Sequence, residues 1–203
     1  MKKGHLLVIS GPSGTGKGTI GNRILEELQD LEYSVSMTTR QPRDGEENGI
    51  HYYFTDEKKF MEIRDSGGFI EYARVYDNYY GTPREKVFSR LNEGKDVILE
   101  IDVQGAMNVK KSYPQGVFIF ILPPSMAELR KRITNRGTDS SEVIERRMSA
   151  AVHEISMAGE YDYCVINDDI EEAADKVKAI ITAERARVSE DISDLIKSYK
   201  EEI

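Results

Sequence analysis

The chain has 203 residues, 39% of them hydrophobic, with 36 acidic against 28 basic side chains and a formal charge of −8. That length supports a single domain with its own core and room for insertions, while the acidic balance excludes a broad attraction to nucleic acid or anionic lipid, so any anion site must be local. No apolar stretch approaches the ~20 residues of a bilayer span, and the polar opening Met1-Lys2-Lys3-Gly4-His5 runs into a strand-length segment instead of a signal-peptide core; a soluble cytoplasmic protein without membrane or nucleic-acid partners is expected.

In chain order, Leu6-Leu7-Val8-Ile9 reads as a buried strand. Directly after it comes Gly11-Pro12-Ser13-Gly14-Thr15-Gly16-Lys17-Gly18-Thr19, then helical spacing through Ile20, Ile24, Leu25 and Leu28. Strand, glycine loop and helix in that order wrap the phosphates of a nucleoside triphosphate. The glycines keep side chains out of the way, so successive backbone N–H groups can point at one anionic centre, and Lys17 adds a mobile positive charge. Gly18 stands where a serine or threonine usually holds a magnesium ion, which leaves Thr19 or a water molecule for that task.

Residues 34–84 break the strand–helix alternation. They are rich in Tyr, Arg, Gly and Glu, and short alternating pieces such as Ile50-His51-Tyr52-Tyr53-Phe54 predict a small, partly antiparallel insertion. Apolar runs of strand length return at Val97–Ile101, Val117–Leu122 and Tyr163–Ile166, with helical patterns between them. Continuous apolar strands separated by crossovers of helix length predict a buried parallel sheet, hence a three-layer α/β fold. A polar, glycine-containing loop from Asn135 passes into a helix carrying Arg146 and Arg147, a second insertion at the sheet edge that overhangs the phosphate loop. Residues 170–203 read as one long or two shorter amphipathic helices. Cys164, the single cysteine, is expected as a small core residue, and His5, His51 and His153 lack metal-ligand spacing.

The phosphate loop, Ser36-Met37-Thr38-Thr39-Arg40-Gln41-Pro42-Arg43-Asp44-Gly45-Glu46, Gly49-Ile50-His51-Tyr52, Phe69-Ile70-Glu71, Asn78-Tyr79-Tyr80-Gly81-Thr82 and Glu100-Ile101-Asp102-Val103-Gln104-Gly105 together resemble guanylate kinase. The likeness continues through Arg136-Gly137-Thr138, Arg146-Arg147-Met148-Ser149-Ala150-Ala151 and Val165-Ile166-Asn167-Asp168-Asp169, and covers nearly the whole chain. It implies a P-loop nucleoside monophosphate kinase that moves a phosphoryl group from ATP to GMP or dGMP with Mg2+, acting as a monomer or homodimer. A core of residues 1–33, 85–134 and 160–203 would carry a GMP-binding insertion, 34–84, and a lid region, 135–159.

Two anionic nucleotides in a negatively charged protein need a few well-placed cations, and the planar fork of arginine bonds two phosphate oxygens at once. By resemblance, Arg40 and Arg43 grip the GMP phosphate with Tyr52 and Tyr80, although Arg40-Gln41-Pro42-Arg43 read alone is a solvated loop. Guanine presents two N–H donors beside the O6 acceptor, so a carboxylate facing the donors and hydroxyls facing O6 would select it; Glu71, Ser36 and Thr82 supply those groups. Asp102 is assigned to the guanine amino group, while local spacing fits a helix cap equally well. Glu100 and Thr19 are the indirect candidates for the metal.

Direct attack of a GMP phosphate oxygen on the ATP γ-phosphorus needs no side-chain nucleophile, only positioning and charge neutralisation. Lys17 is assigned to the β and transferring phosphates, Arg136 and Arg147 to the lid over ATP, Arg146 to a helping role and Asn167 to the adenine side. In isolation Arg146-Arg147 reads as a solvated helix face paired with Glu142 and Glu145. Two alternatives stand beside the kinase of GMP: a silent guanylate-kinase-like module that binds phosphopeptides, and a kinase of another nucleoside monophosphate.

Overall fold

A computed structural model of the chain describes residues 3–75, 77–135, 140–188 and 192–202. It opens with β1 (Leu6–Ser10), α1 (Lys17–Glu27) and β2 (Leu31–Tyr33), and then leaves the core. The excursion contains β3 (Met37–Thr38), β4 (Tyr53–Phe54), α2 (Glu57–Asp65), β5 (Phe69–Val75) and β6 (Asn78–Pro83). The chain returns through α3 (Arg84–Asn92), β7 (Asp96–Glu100), α4 (Val103–Ser112), β8 (Val117–Leu122), α5 (Met126–Thr134) and α6 (Ser141–Ser156). It closes with β9 (Tyr163–Ile166), α7 (Ile170–Arg185) and α8 (Ile192–Glu201).

Two sheets result. The larger has the order β2-β7-β1-β8-β9 and is parallel throughout. Alternation along its strands splits the core in two, because successive side chains point to opposite faces. Leu7, Ile9, Ile98, Ile119 and Ile121 meet Ile20 and Ile24 of α1 and Ala173, Val177 and Ile181 of α7. Leu6, Val8, Val97, Leu99 and Phe118 meet Val87 and Leu91 of α3 and Ala106 and Val109 of α4. With both faces covered, Leu6–Ile9 of β1, Val97–Leu99 of β7 and all of β8 are continuous apolar runs, as in a buried parallel sheet.

The smaller sheet has the order β4-β3-β6-β5, with β3 and β4 parallel and the remaining pairs antiparallel. Phe60 of α2 stacks on Phe69 of β5 at 4.5 Å between ring centroids, which anchors this sheet to its own helix. The alternation seen in Ile50–Phe54 becomes only the short β4, preceded by a bridge between Asn48 and Tyr52. Gly49, at φ 85°, makes the turn between those bridge residues.

One expectation is corrected. Cys164 is exposed, not a core residue, because β9 is an edge strand and only Val165 within it is well buried. Of the two readings of the C-terminal segment, the structure has the two shorter helices, α7 and α8. Among the described residues no helix is long and apolar enough to cross a membrane.

Candidate active site

The C-terminal ends of β1 and β7, the start of α1, the inner face of the smaller sheet and one side of α6 enclose a cleft of about 870 Å³. Its walls include Gly11, Ser13 and Lys17 from the phosphate loop, Ser36, Arg43, Tyr52, Glu71 and Tyr80 from the insertion, Glu100 and Asp102 after β7, and Arg146, Arg147 and Glu154 from α6.

On the phosphate-loop side, Gly11 and Gly16 have φ of 141° and 85°, a region closed to most side chains. Space makes the same demand: a Cβ on Gly11 would stand 2.3 Å from the Ile121 carbonyl oxygen, and one on Gly16 would stand 2.5 Å from Asn167 Nδ2. The Thr15 hydroxyl donates to the Pro12 carbonyl at 2.9 Å, curling the loop on itself. Lys17 Nζ donates to the carbonyls of Gly11 (2.6 Å) and Pro12 (3.0 Å), so the ammonium lies over the loop whose backbone faces the cleft. Asn167 is only 4% exposed and donates its amide to the Thr15 carbonyl at 2.7 Å. It braces the loop from beneath and does not line this cleft.

Glu71 lies on the opposite wall. It follows two buried residues in β5, is 7% exposed, and accepts a 2.7 Å hydrogen bond from Thr82 on the neighbouring β6. Burial pushes its carboxyl up to about 7; the Thr82 hydrogen bond opposes that rise and the nearby Asp102 charge adds to it. Gly105 leaves room for it, since a Cβ there would stand 3.0 Å from Glu71 Oε2. Asp102 caps α4 by accepting from the Gly105 N–H at 2.7 Å, as its local spacing fits, and it also stands in the cleft wall. The Thr82 hydroxyl proton is engaged by Glu71 in a fully buried position, and of Ser36 and Thr82 it is Ser36 that stands in the cleft wall.

Arg43 stands in the cleft wall, and Arg40 lies behind it against Tyr52. Arg40 Nη2 donates to both carboxylate oxygens of Glu46, at 2.8 and 2.9 Å, and the guanidinium lies 5.4 Å from the Tyr52 ring centroid. Glu46, also bonded by the Arg43 backbone N–H, is held at about 2, chiefly by Arg40. The Tyr52 and Tyr80 rings meet edge to face at 6.0 Å. The result is a cationic, hydroxyl-bearing corner that suits a phosphate monoester.

Along α6, Val143, Arg146, Arg147, Ala150 and Glu154 share the helix face turned to the cleft. Arg147 donates to the Ser13 hydroxyl at the tip of the phosphate loop. Glu145, the pairing partner considered for these arginines, bonds Arg130 of α5 instead, at 3.1 Å through Arg130 Nη2. Arg136 lies outside the described residues. Glu154 is a half-buried carboxylate that sequence reasoning missed, although its place seven residues after Arg147 could have revealed it; burial raises its carboxyl against the pull of Lys17.

For a metal the donor set is sparse. Among the described residues no cluster of three or more His, Cys, Asp or Glu is poised to hold an ion, and Thr19 is exposed outside the cleft wall. Glu100 fits better: the Cβ that Gly18 lacks would stand 3.3 Å from Glu100 Oε2. A carboxylate therefore occupies the neighbourhood of the missing hydroxyl, an arrangement suited to an ion ligated mainly by phosphate and water.

Two anion-binding walls facing one another across a single cleft are what transfer between two nucleotides requires, and the fold that carries them is that of a P-loop nucleoside monophosphate kinase. The guanylate kinase family model matches residues 3–184. The guanylate kinase of Caldanaerobacter subterraneus subsp. tengcongensis is 53% identical over 201 residues, covering 99% of this chain and 97% of its own. That of Clostridioides difficile is 48% identical over 203 residues, covering 100% and 99%. The crystal structure of guanylate kinase from Anaplasma phagocytophilum aligns with a TM-score of 0.81 at 36% identity, covering 97% of this chain and 95% of that one. The chain belongs to the guanylate kinase family.

Proposed function

We propose that the cleft transfers the γ-phosphoryl group of ATP to GMP or dGMP, giving ADP and the corresponding diphosphate. One observation carries this reading: a buried carboxylate, Glu71, shares a cleft with the phosphate-loop lysine, Lys17. Ionised Glu71 accepts from guanine N1–H and the exocyclic amine, with Asp102 beside it and Ser36 turned to O6. Adenine lacks the N1 proton, so it would leave a buried carboxylate without its partner, which is the kind of mismatch that discriminates strongly. Thr82 acts one step back by fixing the Glu71 rotamer.

Arg40, Arg43, Tyr52 and Tyr80 hold the acceptor phosphate. Its oxygen attacks the γ-phosphorus in line, the bond from that phosphorus to the β–γ bridging oxygen breaks, and ADP leaves. Lys17 and the loop N–H groups between Ser13 and Gly18 stabilise the β and γ oxygens. Arg147 moves from Ser13 onto the transferring group, with Arg146 and Arg136 completing the lid. Glu100, through water, would hold Mg2+, which when bound neutralises charge on the phosphate oxygens. A cytoplasmic setting and a monomer or homodimer complete the proposal.

Steady-state kinetics of Glu71→Gln test it. The neutral amide turns a donor toward guanine's donors, so KM for GMP should rise by about 100-fold or more while KM for ATP stays within about twofold. Equal changes in both constants would refute the assignment.

A further inference from the structure

Gly18 and Gly21 lie three residues apart in α1, and neither has the positive φ that would call for glycine. Glycine weakens a helix interior relative to alanine, and at Gly21 space explains it. A Cβ on Gly21 would stand 1.5 Å from the Tyr33 hydroxyl oxygen and 2.5 Å from its Cζ. A Cβ on Gly18 would stand 3.3 and 3.6 Å from the two Glu100 carboxylate oxygens. Residues at i and i+3 share a helix face, so the pair forms a groove without side chains that the Glu100 carboxylate and the Tyr33 phenol fill. Within it, Tyr33 at the end of β2 donates to Glu100 Oε2 at 3.3 Å.

We infer that Tyr33 is a positioning residue of the donor site: its hydroxyl holds the Glu100 carboxylate beside Gly18, and Gly21 is the notch that lets the phenol reach it. Glu100 ends β7 as an exposed side chain. The hydrogen bond to one oxygen fixes the plane of the carboxylate and leaves the other oxygen for water on the metal–triphosphate. Partners that orient a metal-facing carboxylate matter to the ion without touching it. This inference rests on the reading above that Glu100 serves the metal.

Mn2+ in place of Mg2+ allows a direct test. Binding of Mn2+ to the protein with a non-hydrolysable ATP analogue is followed by the electron paramagnetic resonance of free Mn2+, and analogue binding without metal is measured by calorimetry. Tyr33→Phe should weaken Mn2+ binding roughly tenfold and leave metal-free analogue binding within about twofold of the wild type. Gly21→Ala, which keeps the phenol but displaces it, should act in the same direction. Tyr33→Phe combined with Glu100→Gln should be no weaker than Glu100→Gln alone. Unchanged Mn2+ binding in Tyr33→Phe beside weakened binding in Glu100→Gln would overturn the positioning role, as would fully additive effects. Unchanged binding in Glu100→Gln would overturn the metal reading and this inference with it.

Discussion

The Thr82 hydroxyl donates to Glu71 Oε1 across 2.7 Å from a fully buried position. The bond joins adjacent strands β5 and β6 and holds the carboxylate at the back of the acceptor pocket. A single hydrogen bond does not offset the loss of water around a charge, and the carboxyl accordingly rises from 4.5 to about 7. On the proposed function, guanine's two N–H donors would supply what burial removed.

That balance gives a pH prediction. GMP binding favours ionised Glu71, so affinity should increase as pH rises through about 7 and level off above it, with proton release on binding below that point. The sign for stability is opposite. A raised carboxyl stabilises the unliganded fold fully below 4.5, and this contribution is lost as pH climbs through about 7. Thermal unfolding from pH 4 to 8 should show that loss in the wild type and lack it in Glu71→Gln, and calorimetry in buffers of different ionisation enthalpy should register the released proton only in the wild type.

Lys17→Met should leave GMP affinity within about twofold, since Lys17 belongs to the phosphate-loop wall, while transfer falls by ~10³ or more. Arg147→Ala should lower kcat by a similar order through loss of a charged contact to the transferring group. Equilibrium GMP binding and a coupled ADP-release assay separate the two effects.

Asn167→Ala removes the buried amide that braces the Thr15 carbonyl. An unsatisfied buried acceptor costs about 1–3 kcal/mol, which lowers the melting temperature by roughly 2–4 °C per kcal/mol in a chain of this size. KM for ATP should rise more than KM for GMP. A direct adenine contact would instead raise KM for ATP with no loss of thermal stability.

The parallel core was legible in the sequence because β1, β7 and β8 are covered on both faces, so their apolar runs are broken only at the strand ends, by Ser10, Asp96 and Glu100. β2 was missed: three residues give periodicity too little to work with, and Tyr33 and Glu32 are polar neighbours at a sheet edge. Cys164 was misjudged for a related reason, since an apolar run does not announce whether its strand is central or outermost. The phosphate loop could be read from its spacing alone, whereas Glu71 became visible only through the family pattern. No local signal distinguishes a carboxylate that β5 buries from one it exposes. Glu154 and Asn167 work through placement in three dimensions, one on the cleft face of α6 and the other beneath the loop.

The most direct test is a panel of acceptors, GMP, dGMP, AMP, CMP and UMP, each offered with saturating ATP and Mg2+. GMP, with dGMP behind it, should exceed AMP by about 10⁴ in kcat/KM, as expected of a site whose buried carboxylate must be bonded by the base. Comparable turnover of AMP and GMP would contradict a guanine-selective cleft.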